Sequence, residues 1–144
     1  MSSYPGPTLV LAQQVGVPAA EVWAAWTRTD RLATWWWAGL PDTTHAVDPQ
    51  VGGSFRVASA QADLGADARF VELVEQRRLV LDWRWETGAG QEADDRVTVE
   101  LREHAHGTLV ILTHEIADAG ADTSMRDGWT GALTSLVATL EGQG

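Results

Sequence analysis

The side chain best suited to chemistry in this sequence is His114, which closes the strand-like run "TLVILTHE". A neutral imidazole there can orient a ligand carbonyl or act as an acid or base near neutral pH. The plainer account is a structural histidine bonded to backbone. His45 follows the tryptophan-rich segment 33–41 and either faces the same opening or sits in a loop. The run "EHAHG" sets His104 and His106 beside Glu103, donor types that can catch a metal. It reads as a hairpin turn with no further ligand at a suitable spacing, so no metal is expected. "THE" is not the start of an HExxH helix, because Ile116, Ala117 and Asp118 follow. No G-x-S-x-G, P-loop or G-x-G-x-x-G run occurs, and no cofactor is expected.

The second chemically distinctive group is aromatic. Trp26, Trp35, Trp36, Phe55, Phe70, Trp83, Trp85 and Trp129 are spread along most of the chain. An indole offers a broad apolar wall and one N–H donor, which suits a flat hydrophobic ligand. Core packing is the competing account, and the stronger one for Trp23, Trp26 and Trp83. The stretch "ATWWWAGLP" sharpens the choice. Successive helical residues point about 100° apart, so Trp35, Trp36 and Trp37 sweep more than half a helix circumference. One indole is therefore expected to complete the core while the others line an entrance. The candidate ligand-binding set is Trp26, Trp35, Trp36, Trp37, His45, Phe55, Phe70, Trp83, His114 and Trp129, with Leu81, Val99, Leu112 and Leu133 completing an apolar wall.

Composition narrows the field. The 144 residues are the length of one domain, expected to span 1–144 with its core at about 8–141. There is no cysteine, which excludes disulfides and thiolate chemistry. Asp plus Glu number 20 against 10 Arg, with no lysine, for a formal charge of −10. Such a surface repels phosphate backbones and anionic lipid, so neither nucleic acid nor membrane is an expected partner. No apolar run approaches the ~18 residues of a membrane span, and "MSSYPGPTLVLAQQ" lacks the pattern of a secretory signal. A cytoplasmic location is the expectation.

The elements that must position these side chains follow from periodicity. "TLVLAQQVGV" reads as a strand, and Pro18 opens a helix over "AAEVWAAWT". Asp30 is the expected cap of a second short helix, "RLATWWW", ended by Gly39 and Pro41. Short strand-like runs then alternate with turns. The clearest is "RLVLDWRWE", with Leu79, Leu81, Trp83 and Trp85 on one face. Val97, Val99 and Leu101 likewise share a face, whereas Glu92, Asp94 and Asp95 read as a solvated acidic loop. From about Thr123 to Glu141, Met125, Trp129, Leu133, Leu136 and Leu140 form one helical stripe. Gly128 and Gly131 weaken that helix, for which a close approach by the sheet or a ligand is the expected reason. The order predicts an α+β fold: a curved antiparallel sheet of about seven strands, two short helices after the first strand, and a long C-terminal helix. Where sheet and helix fail to meet, an apolar cavity is expected.

The ordered set "VPAAEVWAAWT", "LATWW", "VGGSFR", "RRLVLDWRWE", "RVTVEL", "GTLVILTHE" and "GWTGALTSLVATLE" resembles the SRPBCC (START-like, helix-grip) superfamily, in the branch similar to the activator of the 90-kDa heat-shock chaperone's ATPase. It spans Val10 to about Glu141. The resemblance implies that Val110, Leu112 and His114 point inward, leaving Leu109 and Ile111 on the outer face, where they fit a homodimer contact. The direction of Arg69 is left open, since a bulge would flip it. Such a fold carries several functions. The leading expectation is binding of an apolar, aromatic or polycyclic small molecule between sheet and helix. A cyclase- or lyase-type enzyme using His114 is the second, and a chaperone-regulator-like or self-resistance module the third.

Overall fold

The structure is a computed structural model, and it describes residues 6–37, 40, 42–61, 64–87, 90–91, 95–117 and 125–142. Gly39, Pro41, Glu92, Asp94 and the loop preceding the last helix lie outside the described residues, as does the side chain of Met125.

The chain runs β1 (Thr8–Val15), α1 (Ala19–Thr27), α2 (Thr29–Leu32), β2 (Thr44–Val47), β3 (Ser54–Ser59), β4 (Leu64–Val74), β5 (Arg78–Thr87), β6 (Gly90–Gln91), β7 (Asp95–His104), β8 (Gly107–Glu115) and α3 (Met125–Glu141). Seven strands form a curved antiparallel sheet in the order β1-β8-β7-β5-β4-β3-β2, and the two-residue β6 pairs with β5. The helices are segregated from the strands in an α+β arrangement, in agreement with the helix-grip expectation.

Alternation decides which side chains enter the core. In β5, Leu79, Leu81 and Trp83 are buried, whereas Asp82 and Arg84 on the other face are not. Cross-strand register carries the same parity through the sheet, setting Phe55 opposite Ala68, Ala68 opposite Trp83, and Trp83 opposite Asp95. Small Ala66 and Ala68 thus sit beside bulky Trp85 and Trp83, a size pairing that lets indoles lie over the inner face. A bulge in β4 falls between Phe70 and Glu72, after Arg69, so Arg69 keeps its outward parity and stays exposed. Val110, Leu112 and His114 point inward, as implied, and Leu109 and Ile111 lie half-buried on the outer face.

Two local details differ from expectation. The second helix begins at Thr29 and stops at Leu32, capped by Arg28 rather than Asp30. Trp35 and Trp36 lie in the turns that follow, and Trp37 takes a left-handed backbone at φ 49°. For a bulky residue that conformation costs about 1–2 kcal/mol. Along α3, Trp129, Leu133, Leu136 and Leu140 are buried as the stripe predicts. Gly128 and Gly131, however, face open space, and a Cβ at either would meet nothing within 4 Å. Close approach of the sheet is therefore not the reason for them. The tight hairpin between β7 and β8 places both Ala105 and His106 in the left-handed region, as a two-residue turn of this type requires. Gly107 beside it is obligatory, because a Cβ would run into the Val15 carbonyl.

Candidate functional site

The inner face is an aromatic cluster with Trp36 at its hub. The Trp36 ring lies 5.4 Å from Trp35, 5.5 Å from Trp129, 5.7 Å from Trp37, 5.8 Å from Trp83, 6.0 Å from Phe55 and 6.3 Å from Trp26. Trp129, reaching down from α3, also meets Trp83 at 5.3 Å and Trp85 at 6.2 Å. Offset and edge-to-face pairs at these separations are in contact, and each adds about 0.5–1.5 kcal/mol beyond area burial. Among the described residues, the protein's own rings meet one another across the inner face. Trp35 and Trp36 both belong to the core, and only Trp37 is left half-buried at the rim. The division of the three indoles is the reverse of the expected one.

The reason is the turn that carries them. Because residues 33–37 leave the helix, their carbonyls need partners from elsewhere. The Thr139 hydroxyl donates to Thr34 O at 3.4 Å, and Ser135 Oγ donates to Trp35 O at 2.8 Å. His45 Nε2–H donates to Trp36 O at 2.8 Å, and the Leu40 amide donates to Trp37 O at 2.9 Å. Trp35 gives its own indole N–H to Ala25 O at 2.9 Å. Helix α3 and strand β2 therefore clamp the tryptophan turn from two sides. His45 is a half-buried strand residue that holds this turn, not a loop histidine.

His114 is fully buried and has a side-chain partner on each ring nitrogen. Trp129 Nε1–H donates to His114 Nδ1 at 2.9 Å, and an indole N–H can only donate. Nδ1 is therefore bare, and the ring proton sits on Nε2, which donates to Asp95 Oδ2 at 2.7 Å. The other carboxylate oxygen, Oδ1, accepts the Ala117 amide at 2.9 Å. Asp95, expected in a solvated loop, is the first residue of β7 and nearly fully buried. The signal was present: Asp95 has the same parity as Val97, Val99 and Leu101, which places it on the inward face. As arranged, the imidazole is a neutral link between sheet and helix, with neither nitrogen free for a ligand.

Trp85, outside the candidate set, belongs with it. Four buried indole nitrogens, those of Trp26, Trp36, Trp83 and Trp85, find no hydrogen-bond acceptor among the described residues. Leaving a buried donor unmade costs about 1–3 kcal/mol. Leu81, Val99, Leu112 and Leu133 are buried in the same core as Phe55 and Phe70, and complete its apolar wall. Two open clefts that the described residues line, of about 670 and about 480 Å³, lie at the far end of the strands, where β4 turns into β5 and β7 into β8. The larger is walled by Glu72, Arg78, Glu100 and Arg102, charges that pair among themselves. Among the described residues no group of acids and histidines can hold a metal ion, and His104 Nδ1–H is engaged with Gln14 Oε1 at 2.8 Å. No helix among them is long and apolar enough to cross a membrane.

A sheet gripping a C-terminal helix, entered through one strand and two short helices, is matched over residues 16–141 by the family described as activator of Hsp90 ATPase homolog 1-like protein. The chain belongs to that family. The chain is also similar to solved structures. A Rhizobium leguminosarum protein is 25% identical over 94% of each chain, with a TM-score of 0.80. CalU16 from Micromonospora echinospora is 26% identical, covering 90% of this chain and 73% of that one, at a TM-score of 0.68. DynU16, a protein of the dynemicin biosynthetic locus, shares the fold at 22% identity and a TM-score of 0.76, over 93% of this chain and 47% of its own. No curated protein sequence matches the chain.

Proposed function

We propose that this protein binds a flat aromatic small molecule in the seam between the inner face of the sheet and helix α3. The observation that carries the reading is the position of Trp129. It stacks against Trp36, Trp83 and Trp85, yet it stands on a helical turn flanked by Gly128 and Gly131, which nothing else in the packing requires. A guest enters between these rings, with Trp129 lining the seam while its bond to His114 anchors it. A flat ligand then exchanges ring–ring contacts of the protein for its own, so the aromatic area stays out of water. The fold family agrees with a ligand-binding role, and one protein of the same fold belongs to the dynemicin biosynthetic locus.

The closed His114 link favours binding over acid–base catalysis, because protonating Nδ1 would set two N–H groups against each other. The test is a titration of intrinsic tryptophan fluorescence with a panel of two- to four-ring aromatic compounds. Saturable quenching that is lost in Trp129→Ala supports the seam. No response to any member of the panel removes the reading.

A further inference from the structure

The buried polar side chains of this core are almost all provided for. Thr27, Thr108, Ser59, Asp95, His114, Trp35 and Trp129 each have a hydrogen-bond partner. Against that background stand the four indole donors without an acceptor among the described residues. They are not scattered. Ring contacts join Trp26 to Trp36, Trp36 to Trp83, and Trp83 to Trp85, so the four residues with unmet donors form one contiguous group. A core selected only for packing has no use for indole nitrogen at these places, since a purely carbon ring of similar size fills the space without an orphaned donor. The geometry points to a ligand that supplies the missing acceptors.

We propose, building on the binding reading above, that the ligand is a neutral, oxygen-bearing aromatic ring system whose carbonyl, quinone or ether oxygens accept from Trp36, Trp83 and Trp85. A pure hydrocarbon leaves these donors unmet. An anion is disfavoured on the opposite ground, because among the described residues the inner face offers it no arginine: Arg69 is exposed and turned to the Gly52 carbonyl, and Arg84 has outward parity. Trp129 is not one of the readers, because its N–H is committed to His114.

The test uses a matched pair of probes, 9-fluorenone and fluorene, which share a shape and differ by a carbonyl in place of a methylene. Equilibrium dialysis against the whole chain is expected to show 9-fluorenone binding about tenfold or more tighter, the worth of rescuing a buried donor. In 15N-labelled protein, the indole N–H resonance of one or two of Trp36, Trp83 and Trp85 is expected to move downfield with 9-fluorenone, whose single oxygen accepts at most two donors, and none with fluorene. Trp83→Phe, which keeps a ring and removes the donor, is expected to narrow the preference. Equal binding of the pair overturns the inference and leaves the binding reading standing. So does a 9-fluorenone preference with unmoved indole signals, because the oxygen is then met by something else. If neither probe binds, the inference falls, and the wider aromatic panel decides whether the reading beneath it falls too.

Discussion

His114 joins Asp95 at the start of β7 to Trp129 on α3, giving Nε2–H to the carboxylate at 2.7 Å and taking the indole N–H on Nδ1 at 2.9 Å. Every polar atom in this chain has one partner and one direction of donation. The link ties the helix to the sheet where the aromatic seam is deepest, and its polarity sets what substitutions do.

Asp95→Asn tests that polarity. An amide has one acceptor oxygen where the carboxylate has two, so it serves either His114 or the Ala117 amide, not both. Whichever way it turns, one buried donor faces another. The expected loss is about 1–3 kcal/mol in a denaturant titration, with little change in backbone spectrum. A variant as stable as the parent would show that the chain of three is not formed as described.

Gly128→Ala and Gly131→Ala place a methyl group in open space on an exposed helix face. Each is expected to stabilise by about 0.5–1 kcal/mol through helix propensity, raising Tm by a few degrees. If ligand enters beside Trp129, the double variant also binds the aromatic panel more slowly in stopped-flow fluorescence. Faster or unchanged association in a more stable double variant would place the entrance elsewhere.

Trp37→Gly separates backbone strain from ring packing. Glycine relieves a left-handed conformation worth about 1–2 kcal/mol, while the half-buried ring loses its contact with Trp36 at 5.7 Å. The two effects oppose, so stability measured in urea is expected to stay within about 1 kcal/mol of the parent. A much larger loss would mark Trp37 as a true core residue.

Asp42 provides a pH test. Its carboxylate accepts the Gln61 amide at 2.7 Å and the Ser59 hydroxyl at 2.8 Å, and these bonds hold its pKa below the ordinary carboxylate value. A pKa lower in the folded state than in the unfolded one gives stabilisation that is present above the unfolded pKa and lost as pH falls through the folded one. The stability gap between parent and Asp42→Asn is therefore expected to be full near neutrality and to close in acid. Thermal melts from about pH 7 down to about pH 3 measure it, and a gap independent of pH would show that the carboxylate charge plays no part.

By itself the sequence determined which faces are apolar and in what order the elements come. Period-two alternation placed Leu81 and Trp83 on one face and Val97 and Val99 on another, the family resemblance implied the inward direction of Leu112, and the stripe of the last helix placed Trp129 and Leu133 together. These are local periodicities, so each segment carries its own evidence, and their order sufficed for the family. The parity of Asp95 was legible in the same way, though its neighbours made it look like loop. What only the tertiary structure decided is how closely α3 settles onto the sheet, and hence that Trp129 meets Trp36, Trp83 and Trp85 across the seam. The path of "WWW" was decided there too. A helix pattern continues through that stretch, but the hydroxyls of Ser135 and Thr139 and the imidazole of His45 donate to its carbonyls and release the turn from helical bonding. Local spacing encodes direction, whereas hydrogen-bond partners and enclosed volume belong to residues that meet only once the chain has folded.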